Sequence, residues 1–235
     1  MMIKFFKANT VSVGVHEPQP SRARRALTPG LVLVVSLGLF VFGGGFCQPG
    51  AAADSGPIAA TQTMVNQALQ ILRATNTPLN QRRRQLRELI EPRFDFSQMS
   101  RSALGYHWRS LSPDQRNEFT RLFTAFIEDA YLSKIQNYSG QKVEFVRQTS
   151  LGQGCTEVDT KIVQPGGKSP IPLNYLLQPI DGGWKIYDVT VDNISIVANY
   201  RNQFNRVINN QGFDKLMTDL RAKQQNLASR LGDQS

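Results

Sequence analysis

The spacing of apolar residues changes twice along the chain, and these changes separate helical segments from strands. From residue 61 to about residue 138, apolar positions recur every three or four residues, as on one side of an amphipathic helix. Between residues 142 and 191 they recur at every second position, as in strands with one buried face. Helical spacing returns after residue 196. The chain is therefore predicted to run from helices through strands to helices.

Prolines and glycines set the limits of the predicted helices, because they interrupt the helical spacing. The predicted helices are 61–74, 81–90, 96–104, 113–138, 196–209 and 213–227. The fourth has the clearest beginning, since Ser112 and Gln115 form a capping box around Pro113. Its broad apolar stripe includes three phenylalanines: Phe119, Phe123 and Phe126.

Four strands are predicted between Gly-rich turns, at 142–149, 155–164, 171–180 and 184–191. Alternation gives them one apolar face, formed by Val143, Phe145, Val158, Ile162, Leu173, Tyr175, Leu177, Tyr187 and Val189. Short turns favour a curved, four-stranded antiparallel sheet. Because helices precede and follow the strands along the chain, we predict an α+β fold in which the helices pack on one face of the sheet. Such a cone-like, NTF2-like layout has either a solid core or a cavity between sheet and helices.

The N-terminus has the three parts of a secretory signal peptide. Basic residues precede an apolar run at 31–42, and the small residues Ala51, Ala52 and Ala53 form a cleavage site. The run is about a dozen residues long, whereas a membrane-spanning helix needs ~20. We therefore predict that residues 1–53 are a cleaved signal peptide, and that residues 54–230 form a single soluble domain exported to the periplasm.

Composition limits the classes of function that this domain can have. Residues 54–235 hold 22 Lys and Arg against 17 Asp and Glu, an excess that favours anionic surfaces or partners. The run Arg82-Arg83-Arg84 is interpreted as a solvated helix face, and export argues further against nucleic acid. Cys155 is the single cysteine after the signal peptide, so no internal disulfide forms and the fold must rest on its apolar core.

Few residues of the domain are suited to catalysis. His107 is its single histidine and lies far in sequence from Cys155, which disfavours both a zinc site and a nucleophile–base pair. We predict no enzymatic activity, no metal and no cofactor. The alternative is an isomerase or hydratase, in which a buried acid of the sheet works with Tyr175 or Tyr187 as oxyanion donor. The candidate acids are Asp159, Asp181, Asp188 and Asp192. A third possibility is an envelope adaptor with a solid core.

Several motifs resemble those of a known family. They are Tyr187-Asp188, Asn193-Ile194-Ser195-Ile196, Tyr200-Arg201-Asn202-Gln203-Phe204, Gly212-Phe213-Asp214-Lys215-Leu216, and the stretch from Ala103 to Trp108 with Leu111 to Arg116. Together they resemble the periplasmic phospholipid-binding proteins of the Mla (maintenance of lipid asymmetry) pathway, also called the toluene-tolerance auxiliary family. The resemblance covers about 61–223. One departure is Asn193, where many members carry glycine.

The resemblance implies a lipid carrier that is a monomer and holds phospholipid acyl chains in an internal apolar cavity. The implied partners are an outer-membrane lipoprotein complex and an inner-membrane ABC transporter complex with a substrate-binding ring. Bound lipid would be cargo rather than cofactor, and hopanoid is the alternative lipid because hopanoid-linked relatives share the domain. The twelve predicted lipid-binding residues are the three phenylalanines of the fourth helix and the nine residues of the apolar sheet face.

Overall fold

The computed structural model describes residues 56–135, 138 and 140–232. The predicted signal peptide and its cleavage site lie outside the described residues. The helices are α1 (Pro57–Arg73), α2 (Leu79–Ile90), α3 (Phe96–Leu104), α4 (Pro113–Ile135), α5 (Ile196–Gln211) and α6 (Phe213–Gly232), and the strands are β1 (Lys142–Gly152), β2 (Cys155–Val163), β3 (Ile171–Ile180), β4 (Gly183–Val191) and β5 (Ile194–Ser195). Within the described residues we find no helix with the length and apolar character that a bilayer crossing requires.

Side-chain caps explain where three of the helices begin. The capping box of α4 is confirmed, because the Gln115 amide donates to Ser112 Oγ at 3.2 Å and the Ser112 amide donates to Gln115 Oε1 at 2.9 Å. Asp95 caps α3 by accepting from the Gln98 amide at 2.9 Å, and Ser195 caps α5 by accepting from the Ala198 amide at 2.9 Å.

The sheet is an antiparallel meander in the order β1-β2-β3-β4-β5. The α+β prediction is confirmed, but the prediction of four strands is wrong because β5 pairs with the end of β4. The turn between them contains Asp192 and Asn193 at φ 52° and 62°. Asparagine tolerates this left-handed conformation and glycine adopts it without strain, so Asn193 replaces glycine in a turn that accepts both.

Cross-strand pairing places four rows of side chains on one face of the sheet, which we call the inner face. The rows are Val143, Ile162 and Ile171; Phe145, Thr160, Leu173 and Val191; Gln148, Val158, Tyr175 and Val189; and Ser150, Thr156, Leu177 and Ile186. The Ile58 amide of α1 donates to Gln148 Oε1 at 3.2 Å, so α1 begins over this face. The edge of β4 is bordered by the segment before α3, where the Asp95 amide donates to the Ile186 carbonyl at 2.8 Å.

A bulge in β4 makes the predicted position of Tyr187 wrong. Leu176 pairs with Asp188 but Leu177 pairs with Ile186, so Tyr187 is an extra residue with no partner on β3. The Tyr187 side chain lies near that of Cys155, which alternates with inward-facing Thr156 and therefore lies on the outer face. Ile186 takes its place on the inner face and is only 2% exposed.

The helices form a layer with a core of its own. Helix α4 packs against α6 and α3, while α5 packs against α3 and α6. At the centre is an aromatic cluster, which consists of Phe119, Phe123, Phe126, Tyr200 and Phe204. The rings of Phe119 and Phe123 are fully buried, with centroids 5.4 Å apart, and each meets Phe204 nearly edge-on. This packing fixes α4 against α5.

Ion pairs join α2 to α4, and a hydrogen bond joins α6 to α4. Arg87 bonds to Glu128 at 2.9 Å and to Asp129 at 2.8 Å, and Gln224 donates to the second Asp129 oxygen at 3.1 Å. Arg83 is buried next to Asp129, so the interpretation of all three arginines at 82–84 as a solvated face is wrong. Burial lowers the pKa of Arg83 and outweighs the opposite effect of the nearby Asp129 carboxylate. The guanidinium still stays charged at neutral pH.

The aromatic cluster gives the first testable prediction. Phe123→Ala leaves a cavity among rings that have no freedom to close it, so we expect the free energy of unfolding to fall by about 3–5 kcal/mol. Urea unfolding followed by circular dichroism measures this loss. The control is Leu151→Ala on β1, where the side chain is 46% exposed and a change of at most about 0.5 kcal/mol is expected. Equal losses in the two variants would contradict the buried cluster.

Candidate functional site

One end of the inner face is apolar but not fully covered. Val143 pairs with Ile162, and Phe145 lies across from Thr160, which in turn pairs with Leu173. The four apolar side chains Val143, Phe145, Ile162 and Leu173 are all half-buried, and we call them the open block. At the other end of the same face Val158 and Leu177 are 0% and 1% exposed. The inner face therefore runs from a closed apolar floor to an apolar region within reach of solvent or a ligand.

The polar groups of the inner face are few and uncharged. None of the paired positions in its four rows holds Lys, Arg, Asp or Glu. Thr160 is buried, but its hydroxyl donates to the Leu173 carbonyl and needs no water. Burial raises the pKa of Tyr175, so its hydroxyl stays protonated and neutral. An apolar ligand on this face would meet no charge that must lose its water.

Charged residues of the sheet lie on the opposite face, where four of them form two ion pairs. Arg147 bonds to Asp159 at 2.5 Å across β1 and β2, and Lys161 bonds to Glu144 at 3.0 Å. Asp159 and Lys161 alternate with the inward-facing Val158 and Thr160. The segregation of charge is therefore a direct result of strand alternation.

The acids considered for catalysis have structural positions. Asp188 accepts from the Val189 amide at 2.8 Å, from the Ser195 hydroxyl at 2.5 Å and from the Val197 amide at 3.1 Å. Asp181 and Asp192 occupy turn positions with φ 51° and 52°. Among the described residues there is also no group of three His, Cys, Asp or Glu side chains that could hold a metal ion.

The predicted site residues fall into three places. Val143, Phe145, Ile162 and Leu173 form the open block, and Val158, Tyr175, Leu177 and Val189 form the buried part of the same face. Tyr187 lies on the outer face. Phe119, Phe123 and Phe126 pack against aromatic rings of α5, and their role as lipid-lining residues stays a prediction.

The comparisons with known proteins identify the family. A model of the family described as MlaC protein matches residues 62–222. The chain belongs to the MlaC family. It is 25% identical over 177 residues to the intermembrane phospholipid transport system binding protein MlaC of Haemophilus influenzae, an alignment that spans 72% of this chain and 83% of that protein. The resemblance noted in the motifs is thereby confirmed.

A solved structure extends the similarity to the fold. The phospholipid-binding protein from Ralstonia solanacearum, determined in complex with a phospholipid, matches with a TM-score of 0.66 and 25% sequence identity. The match covers 75% of this chain and 99% of that one. The two proteins therefore share one fold over most of this chain.

Ile186 is an apolar member of the inner face that strict alternation assigns to the opposite face. Strict alternation through β4 assigns Tyr187 to the face of Val189, and the bulge reverses that assignment. A weak signal was present in the sequence, because Trp184, Ile186 and Val189 are apolar while Lys185 and Asp188 are polar. Only a break of one residue in the alternation reconciles these positions.

The cap at the start of α5 gives the second prediction. Asp188→Ala removes the acceptor of two amides and a hydroxyl, and we expect the free energy of unfolding to fall by about 1–3 kcal/mol. The control, Asp159→Ala, removes a carboxylate whose partner Arg147 is largely exposed, which should cost about 0–1 kcal/mol. Urea unfolding distinguishes the two. An Asp188→Ala variant as stable as the wild type would contradict the capping role.

Proposed function

We propose that this protein is a periplasmic carrier that binds phospholipid acyl chains against the inner face of its sheet and transfers lipid between outer- and inner-membrane complexes. The observation that carries the proposal is the uncharged, half-buried open block beside the closed apolar floor of the inner face. Membership of the MlaC family and the phospholipid-bound relative of matching fold support it.

The function follows from the cost of exposing hydrocarbon to water. Each acyl CH₂ group in water costs about 0.8 kcal/mol, so a diacyl lipid faces a large barrier to crossing an aqueous compartment unaided. A protein that covers the chains removes this barrier without forming or breaking a covalent bond. Membrane and binding face are both apolar, so transfer between them is nearly neutral and its direction must come from the partner complexes.

In this proposal the two ends of the inner face have different tasks. The open block is where an acyl chain would replace water on apolar side chains. The floor around Val158 and Leu177 is already filled by protein and would limit how far a chain can enter. No catalytic group is required for this function, and the acids of the sheet are committed to ion pairs, a cap and turns.

The third prediction tests the open block by introducing a charged side chain there. Leu173→Glu puts a carboxylate where acyl chains would lie, at a position open enough for the charge to keep water. We expect a folded protein that loses most of its co-purified phospholipid when isolated from the periplasm without detergent. Circular dichroism reports the fold, and lipid extraction followed by mass spectrometry reports the cargo.

Two controls make the result specific. Val163→Glu adds the same charge to the outer face, where Val163 lies across from Lys142, and should keep the lipid. Val158→Glu puts the charge into the closed floor at a fully buried position and should unfold the domain. The placement of lipid on the inner face would be wrong if Leu173→Glu kept its phospholipid, or if Val163→Glu lost it to the same extent.

A further inference from the structure

A shallow groove lies away from the inner face, where α3 ends and the chain passes toward α4. It has a volume of about 350 Å³ and is formed by α3 and the short 3₁₀ segment Gly105–Ser110. Its principal lining side chains are Gln98, Arg101, Ser102, Tyr106, Trp108 and Arg109, and we call it the α3–α4 groove. None of these residues belongs to the four rows of the inner face, so a partner could occupy the groove while lipid is bound.

The groove is cationic. Arg101 and Arg109 are both exposed, and no acidic residue lines the groove with them. Neither arginine takes part in the ion pairs found among the described residues. Each guanidinium therefore offers planar, paired N–H donors that match a carboxylate.

The backbone at Trp108 and Arg109 is held in place by Arg116. Arg116 of α4 donates through Nε to the Trp108 carbonyl at 3.0 Å and through Nη2 to the Arg109 carbonyl at 3.1 Å. Its guanidinium also lies 5.6 Å from the centre of the Trp108 ring. The 3₁₀ segment is thus fixed to α4 before any partner arrives, which reduces the entropy lost on binding.

The exposed aromatic ring of the groove is fixed as well. Tyr106 is 64% exposed, yet its hydroxyl lies 2.7 Å from Asn205 Oδ1 and 3.0 Å from Asn209 Oδ1 on α5. His107 bonds to the same Asn205 oxygen at 2.9 Å. A large ring that is exposed to solvent but anchored at its tip is a ready contact surface, because binding need not order it.

We propose that the α3–α4 groove is a docking site for an acidic segment of a partner protein. Arginine, tyrosine and tryptophan are the residues that dominate the energy of protein–protein interfaces, and all three lie together in this groove. Its concave shape accepts protruding side chains and does not match the flat surface of a bilayer. Membrane-surface attraction also relies on clusters of about four to eight basic residues, whereas this groove holds two. The docking site is independent of the lipid cargo.

The two tryptophans of the chain make the proposal testable by NMR. Trp108 lines the groove and Trp184 lies on β4, so the indole N–H of Trp184 is an internal reference. A short peptide of alternating Glu and Ser should shift the Trp108 signal and leave the Trp184 signal unchanged. The same peptide with Gln in place of Glu should leave both signals unchanged.

Two double variants with the same net charge distinguish the effect of the groove arginines on peptide binding from the effect of the overall charge. The double variant Arg101→Glu/Arg109→Glu should weaken binding of the Glu peptide at least about tenfold, because it replaces two charge-assisted contacts with repulsion between like charges. The control Arg84→Glu/Arg121→Glu changes the net charge equally at exposed positions outside the groove and should bind as the wild type does. An unchanged Trp184 signal verifies that each variant is folded.

Three outcomes would overturn the proposal. In the first, the Glu peptide does not shift the Trp108 signal. In the second, the control double variant loses as much affinity as the groove variant, which would make the attraction a property of the overall charge. In the third, vesicles containing phosphatidylglycerol shift the Trp108 signal while the Glu peptide does not, which would make the groove a membrane contact.

Discussion

Antiparallel pairing of β1 to β4 determines which side chains meet on the inner face, and the proposed function depends on that selection. Because side chains alternate along each strand, the ion pairs Arg147–Asp159 and Lys161–Glu144 are confined to the outer face. The inner face keeps only apolar and neutral polar residues. The bulge in β4 also affects this selection, because it places Ile186 rather than Tyr187 on the inner face. A slip of one residue in β1, β2 or β4 would bring charge to the face that is proposed to hold hydrocarbon.

The helix layer allows the open block to remain incompletely covered. Phe119 and Phe123 are buried among aromatic rings of α4 and α5, and the Arg87 ion pairs join α2 to α4. These contacts stabilise the helices against each other without any contribution from Leu173 or Phe145. A protein whose binding face were also its main core would lose stability each time it released its ligand. Here the open block is separate from the aromatic cluster that holds α4 and α5 together.

Much of the fold could be predicted from local patterns, because helix caps, turns and hydrophobic spacing depend on interactions between residues that are close in sequence. The capping box at Ser112, the turns between strands and the change from helical to alternating spacing all depend on residues close in sequence. Tyr187 and Arg83 were misplaced because their positions depend on distant partners. The bulge at Tyr187 is set by pairing with β3, and Arg83 is buried because Asp129 of α4 lies next to it. The open block could be predicted as apolar, but its half-buried state follows from which helices cover the sheet.

The most direct measurement of the central claim is to locate a bound acyl chain by photochemistry. A phospholipid with a diazirine in one acyl chain would be loaded onto the wild-type protein, irradiated, and its attachment sites mapped by mass spectrometry of the peptides. We predict attachment on the inner face, concentrated at the open block of Val143, Phe145, Ile162 and Leu173. Attachment confined to the outer face around Val163 and Leu176, or to the α3–α4 groove, would contradict the account.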